Sequence, residues 1–130
     1  MDSRSRATFG LLIAVQAAHS VEEYAFRLFD VFAPARFVSG LFSSNLATGF
    51  AIVNIGIILV GFWCYLARVR NAHAGDRSYA WFWTCLEFGN GVGHVVFAGV
   101  RGGYFPGVLT APLLIGASSY LAARLARRDG

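Results

Sequence analysis

The sequence predicts an all-α protein, a bundle of four transmembrane helices with both termini in the cytoplasm. Three observations lead there. Hydrophobic residues make up 56% of the 130 residues and charged residues only 14%, whereas a soluble domain carries about a quarter charged. The apolar residues fall in four long blocks, near the length that crosses a hydrocarbon core. The basic excess, net +4, is all arginine, with no lysine. These arginines stand mainly at the block ends, which orients a membrane protein rather than building a nucleic-acid stripe. The length allows one domain, residues 1–130. The composition excludes disorder, collagen and coiled coil, and there is no internal repeat or low-complexity segment.

The four blocks are Thr8–Phe29, Leu46–Ala67, Tyr79–Val100 and Gly107–Arg124. The first three have 22 residues and the last has 18. That gives about 33 Å and about 27 Å of helix, against a hydrocarbon core of about 30 Å. Backbone polar groups in lipid must bond within their own segment, so each block is expected to be helical. A cleavage signal near Val15-Gln16-Ala17-Ala18 is an alternative for the first block; the apolar run that resumes after Glu23 argues for a span. Arg4, Arg6, Arg68, Arg70, Arg77, Arg124, Arg127 and Arg128 fall on one side, and Arg36 and Arg101 on the other. The positive-inside rule then predicts a multi-pass protein of the cytoplasmic (inner) membrane. Pro112 stands early in the fourth helix, where a missing N–H costs least. Gly89 and Gly93 form a small-xxx-small pair expected to let a neighbouring helix approach. Cys64 and Cys85 read as small core residues and His73 as a surface residue of the second loop.

Blocks one and three contain residues that apolar spans should not hold: His19, Glu22, Glu23, Glu87, Asn90 and His94. An acidic side chain at membrane depth costs on the order of 3 kcal/mol on insertion scales, so such groups face the bundle interior and mark a candidate site. His19, Glu22 and Glu23 stand at i, i+3 and i+4, and Gln16 extends that face. Glu87, Asn90 and His94 stand at i, i+3 and i+7, again on one face. Both stripes lie about 9–20 Å below the outer surface, so they can meet. Asn54 of the second helix falls at the same level. Bland roles exist for several of these: Glu23 can pair with Arg27 at i+4, and Asn54 and Asn90 can serve as interhelical hydrogen-bond glue.

Imidazoles and carboxylates in this number suit a divalent metal, zinc, iron or manganese, with His19, Glu22, Glu23, Glu87 and His94 as ligands. Helical bundles build di-metal sites from inward Glu and His residues, although the order here departs from Glu-x-x-His. The same residues could act without a metal. Glu22 and Glu23 would then divide into a proton donor and an ionised partner, with His19 or His94 as shuttle. That chemistry suits isomerisation, cyclisation or hydration of a lipophilic substrate. A third use of membrane-buried carboxylates is proton- or ion-coupled transport.

At this point the residues resemble a family. Bacterial and archaeal membrane proteins named for an HXXEE motif carry His-x-x-Glu-Glu, then Asn-x-x-x-His, then Tyr-x-Pro-Gly. This chain reads His19-Ser20-Val21-Glu22-Glu23, Asn90-Gly91-Val92-Gly93-His94 and Tyr104-Phe105-Pro106-Gly107. The ordered trio spans most of the chain. The resemblance implies that the motif residues share one site; it names no reaction. The expected protein is a membrane enzyme acting on a lipophilic small molecule within the lipid bilayer. His19, Glu22, Glu23, Glu87 and His94 would be metal ligands or acid–base groups, and Asn90 and Tyr104 would orient substrate. Tyr104, in the last outer loop, would lean over the site as donor or lid, or else anchor the interface.

Overall fold

A computed structural model describes residues 1–127; Arg128, counted above among the cytoplasmic arginines, lies outside the described residues. The described chain is all-helical, with no strand among those residues. Its helices are α1 (Ser3–Ala25), α2 (Leu28–Val31), α3 (Ala33–Phe42), α4 (Leu46–Trp63, continued by a π-helical segment Cys64–Val69), α5 (Asp76–Arg101) and α6 (Ala111–Ala126). Among the described residues, one helix, Leu46–Val69, is long and apolar enough to cross a membrane by length and composition alone.

The first predicted helix begins and ends early. Asp2 caps it by accepting from the Ser5 amide, which moves the start to Ser3. It stops at Ala25 because Arg27 turns into the left-handed region (φ 58°). There its guanidinium reaches Asp30 at 2.5 Å and covers the Phe29 ring. Arg27 therefore lies outside α1, on the side assigned to Arg36 and Arg101. Two short helices then occupy what reads as a loop. Pro34 starts α3, and Phe37, Leu41 and Phe42 on it are exposed. It runs back against the start of α4, where a Cβ on Gly49 would overlap the Ser39 carbonyl. Gly49→Ala is expected to pry this hairpin open at a cost of about 1–3 kcal/mol, read as a lower thermal midpoint in detergent.

The start of α1, the end of α6 and the α4–α5 turn meet at one end of the bundle. The Met1 amine is 3.6 Å from Asp76, Arg124 pairs with Asp2, and Arg77 donates to the Leu125 carbonyl. Arg77 and Arg124 thus stand at the same end. A core of Phe9, Leu12, Ile13, Trp83, Leu114 and Leu121 fills this end, and Leu28, Phe29, Phe50 and Phe105 fill the other.

Glycine does bring α5 close to α6, but at Gly91, whose Cβ would stand 2.8 Å from Ile115 and 3.0 Å from the Ala111 carbonyl. Gly89 and Gly93 pack against nothing within 4 Å, so the expected helix contact at that pair is absent among the described residues. Cys64 is buried as expected, whereas Cys85 is exposed, at the edge of an open cavity between α5 and α6. Pro112 stands in the first turn of α6, and His73 is exposed.

Candidate functional site

The two polar stripes meet. The His19 and His94 rings lie 4.5 Å apart, edge to face. Glu23 Oε1 stands between them, 3.2 Å from His19 Nε2 and 2.9 Å from His94 Nε2. All three side chains are buried, and their ligand atoms fall within 4.8 Å of one another. Arg27 takes no part, since it pairs with Asp30 instead.

Glu22 lies beside this cluster and is occupied differently. Its two oxygens accept five hydrogen bonds from residues 104–110. Tyr104 Oη (2.8 Å), Gly107 N (2.7 Å) and Leu109 N (3.2 Å) donate to Oε2. Thr110 N (2.8 Å) and Thr110 Oγ1 (2.7 Å) donate to Oε1. The peptide groups ahead of α6 close around a carboxylate, which is what the positive end of a helix favours. For that reason α6 begins at Ala111 and not at Gly107 as predicted. Tyr104 remains a donor across the ordinary pH range: partial burial and its bond to Glu22 push the phenol up to about 12.

The clamp also fixes a tautomer. Thr110 Oγ1 lies 2.7 Å from both Glu22 Oε1 and His19 Nδ1. A hydroxyl has one proton, and an ionised carboxylate can only accept. Thr110 therefore donates to Glu22, and His19 Nδ1–H donates to Thr110. In the neutral imidazole that leaves the lone pair of His19 on Nε2, facing Glu23 Oε1, a second acceptor. His19 Nε2 accordingly has no hydrogen-bond partner, and neither does His94 Nδ1. Two acceptors facing each other in a buried site call for a cation between them.

Gly107 completes the arrangement. Its φ of +99° is open to glycine and costly for other residues. A Cβ there would stand 2.5 Å from His94 Nδ1 and 2.8 Å from His19 Cε1. The Tyr-Phe-Pro-Gly turn is thus the piece that presses both imidazoles towards Glu23.

The other expected residues lie apart from the cluster. Glu87 is fully buried, two helical turns below His94, with one oxygen accepting from Asn90 Nδ2 at 3.3 Å. Asn54 accepts from Ser20 Oγ at 3.0 Å and donates to the Phe50 carbonyl, tying α1 to α4. Gln16 Nε2 donates to the same Ser20 at 3.2 Å. Sequence reasoning missed Thr110, the link between Glu22 and His19. Its place two residues before Pro112 was the only local signal, and a threonine there reads as a helix cap.

Fold and site together define a helical protein with a buried His–Glu–His cluster, held by a carboxylate clamp from the turn before its last helix. A family model described as "Protein of unknown function with HXXEE motif" matches residues 10–122. The chain belongs to this family. No curated protein and no solved structure matches it.

Proposed function

We propose that the protein is a multi-span membrane enzyme in which His19, Glu23 and His94 hold one divalent metal ion, zinc, iron or manganese, and which acts on a lipophilic substrate. The observation that carries this reading is the facing pair His19 Nε2 and Glu23 Oε1, 3.2 Å apart, with His19 Nδ1 committed to Thr110 and no well-formed hydrogen bond at Nε2. Two imidazoles and one carboxylate suit all three metals. The His19 Nδ1–Thr110–Glu22 chain is the outer support that metal-bound imidazoles ordinarily have. Bound there, the ion would polarise a substrate oxygen or a water. Glu23 supplies the negative charge, Thr110 holds His19 in its tautomer, and Glu87, with no cationic partner among the described residues, is the acid–base group left over.

Support for several spans comes from the surface. Val21 of α1 is 66% exposed, Phe82 and Val100 of α5 are 61% and 82% exposed, and Leu113 of α6 is 59% exposed. His19, Glu22 and Glu23 of α1 and Glu87 and His94 of α5 are buried. An apolar exterior around a polar interior suits lipid, and a soluble protein rarely carries such patches.

Elemental analysis of detergent-purified protein tests the metal. The expected result is about one ion per chain, reduced tenfold or more in Glu23→Gln and in His94→Ala, with both variants still helical by circular dichroism. Protein that stays metal-free after loading with each of the three ions would overturn it. The facing acceptors would then be bridged by a proton on His19, the acid–base form of the same site. Flux of a substrate driven by a pH gradient in liposomes, with no product formed, would replace the enzyme by a transporter.

A further inference from the structure

Gly89 and Gly93 form the floor of a groove on the open face of α5. With Asn90, His94, Phe32, Phe97 and Phe105 they enclose about 190 Å³. The His94 ring, 5.5 Å from Phe105, belongs to this chamber and to the Glu23 cluster alike. A second chamber of about 460 Å³ adjoins it, sharing Phe32, Phe97 and Phe105 and reaching Val31, Val100 and Arg101. The three shared rings touch, with centroids 5.0–5.9 Å apart, and form a continuous apolar wall.

The only charged residue bordering either chamber is Arg101. It stands at the last turn of α5, seven residues and about 10 Å beyond His94. It is exposed and forms no ion pair among the described residues. The groove therefore has a cationic mouth, an aromatic wall, and an end at the buried His94 ring. The inner chamber is smaller than a drug-sized site, which favours one unbranched chain over a ring system or a pair of chains.

We infer that this groove binds a single-chain anionic amphiphile, a long-chain fatty carboxylate taken from the surrounding lipid. Its carboxylate sits on Arg101 and its chain runs past the phenylalanines to His94. The inference rests on the reading of His19, Glu23 and His94 as the reactive centre, and it adds that a carbon within the chain, well below the head, is what meets it. Arg101 matches the head by charge and by its planar donor fork, and apolar burial holds the tail.

The experiment uses the full chain in phosphatidylcholine nanodiscs with radiolabelled oleate as probe, and oleyl alcohol and phosphatidylglycerol as competitors. Saturable oleate binding is expected. Arg101→Gln should weaken it tenfold or more while leaving oleyl alcohol competition unchanged. Gly93→Leu should abolish binding of both. Leucine is the better helix former and its Cβ meets no atom within 4 Å at that position, so the variant should keep its thermal midpoint. Arg70→Gln, at the opposite end, should bind as the parent does. Absent saturable binding, or unchanged binding in both Arg101→Gln and Gly93→Leu, overturns the inference. Tighter competition by phosphatidylglycerol than by oleate overturns the single-chain assignment. Metal content is measured on the same samples: oleate binding without metal means the metal reading has failed alone, and metal without oleate binding means the groove has.

Discussion

Gly107→Ala is expected to be among the most damaging single substitutions in the chain, lowering stability by roughly 2–6 kcal/mol. Two independent costs add. The backbone at φ +99° strains any residue with a Cβ, by roughly 1–3 kcal/mol. The new methyl also meets both imidazoles, at 2.5 Å from His94 Nδ1 and 2.8 Å from His19 Cε1, and overpacking of this kind costs roughly 1–3 kcal/mol. The rings are the flexible partners, so they would be pushed off Glu23. Stability and metal content should fall together in thermal unfolding and elemental analysis. Gly103→Ala, four residues earlier, has open space and no positive φ and should behave as the parent does. Equal midpoints for the two variants would show that the turn does not press on the imidazoles.

Glu22→Gln is expected to cost roughly 3–5 kcal/mol, although it changes shape hardly at all. The parent carboxylate accepts five hydrogen bonds, three of them from peptide N–H groups that cannot turn away. An amide replaces one acceptor oxygen with a donor, so at least two of those donors face another donor, and the charge that strengthens the rest is lost. Tyr104→Phe removes a single donor from a partly exposed site and should cost only about 0.5–1.5 kcal/mol. Glu23→Gln gives the opposite signature to Glu22→Gln: it removes the metal and leaves the midpoint of the metal-free protein close to the parent's. Denaturation of the metal-free forms separates the two. If the Glu22 and Glu23 variants lose stability equally, the division of labour between these neighbours is wrong.

Much of the site was legible because helical periodicity is a local property. His19 and Glu23 share a face by spacing, and His94 lies at their depth by counting from the far end of its helix; the two rings are 4.5 Å apart. The division between Glu22 and Glu23 was not legible. Both are carboxylates on one stripe, and what separates them is a ring of backbone N–H groups from 85–88 residues later. Main-chain donors leave no trace in a side-chain pattern. The same limit hid the start of α6, where a run of apolar residues reads as helix although the first of them turn their amides to Glu22. Helix α3 was hidden for another reason: Pro34, Ser39 and Gly40 carry loop signals, which the apolar spacing of Phe37, Val38 and Leu41 overrides. Glycine was read correctly as a sign of close approach on α5, but Gly91 makes that approach, and Gly89 and Gly93 leave the space open.

The clamp on Glu22 also sets an order of events during biosynthesis. The carboxylate leaves the ribosome with α1, and its nearest partner in sequence, Tyr104, follows 82 residues later. At about 5–20 residues per second, roughly 4–16 s pass in which a charged group has no native partner. A chain interrupted before the last turn would carry that unmet charge permanently, beside two unsupported histidines. Completion of the polar interior therefore waits for the turn before α6, and products truncated ahead of that turn expose a charged defect by which proteolysis can recognise them.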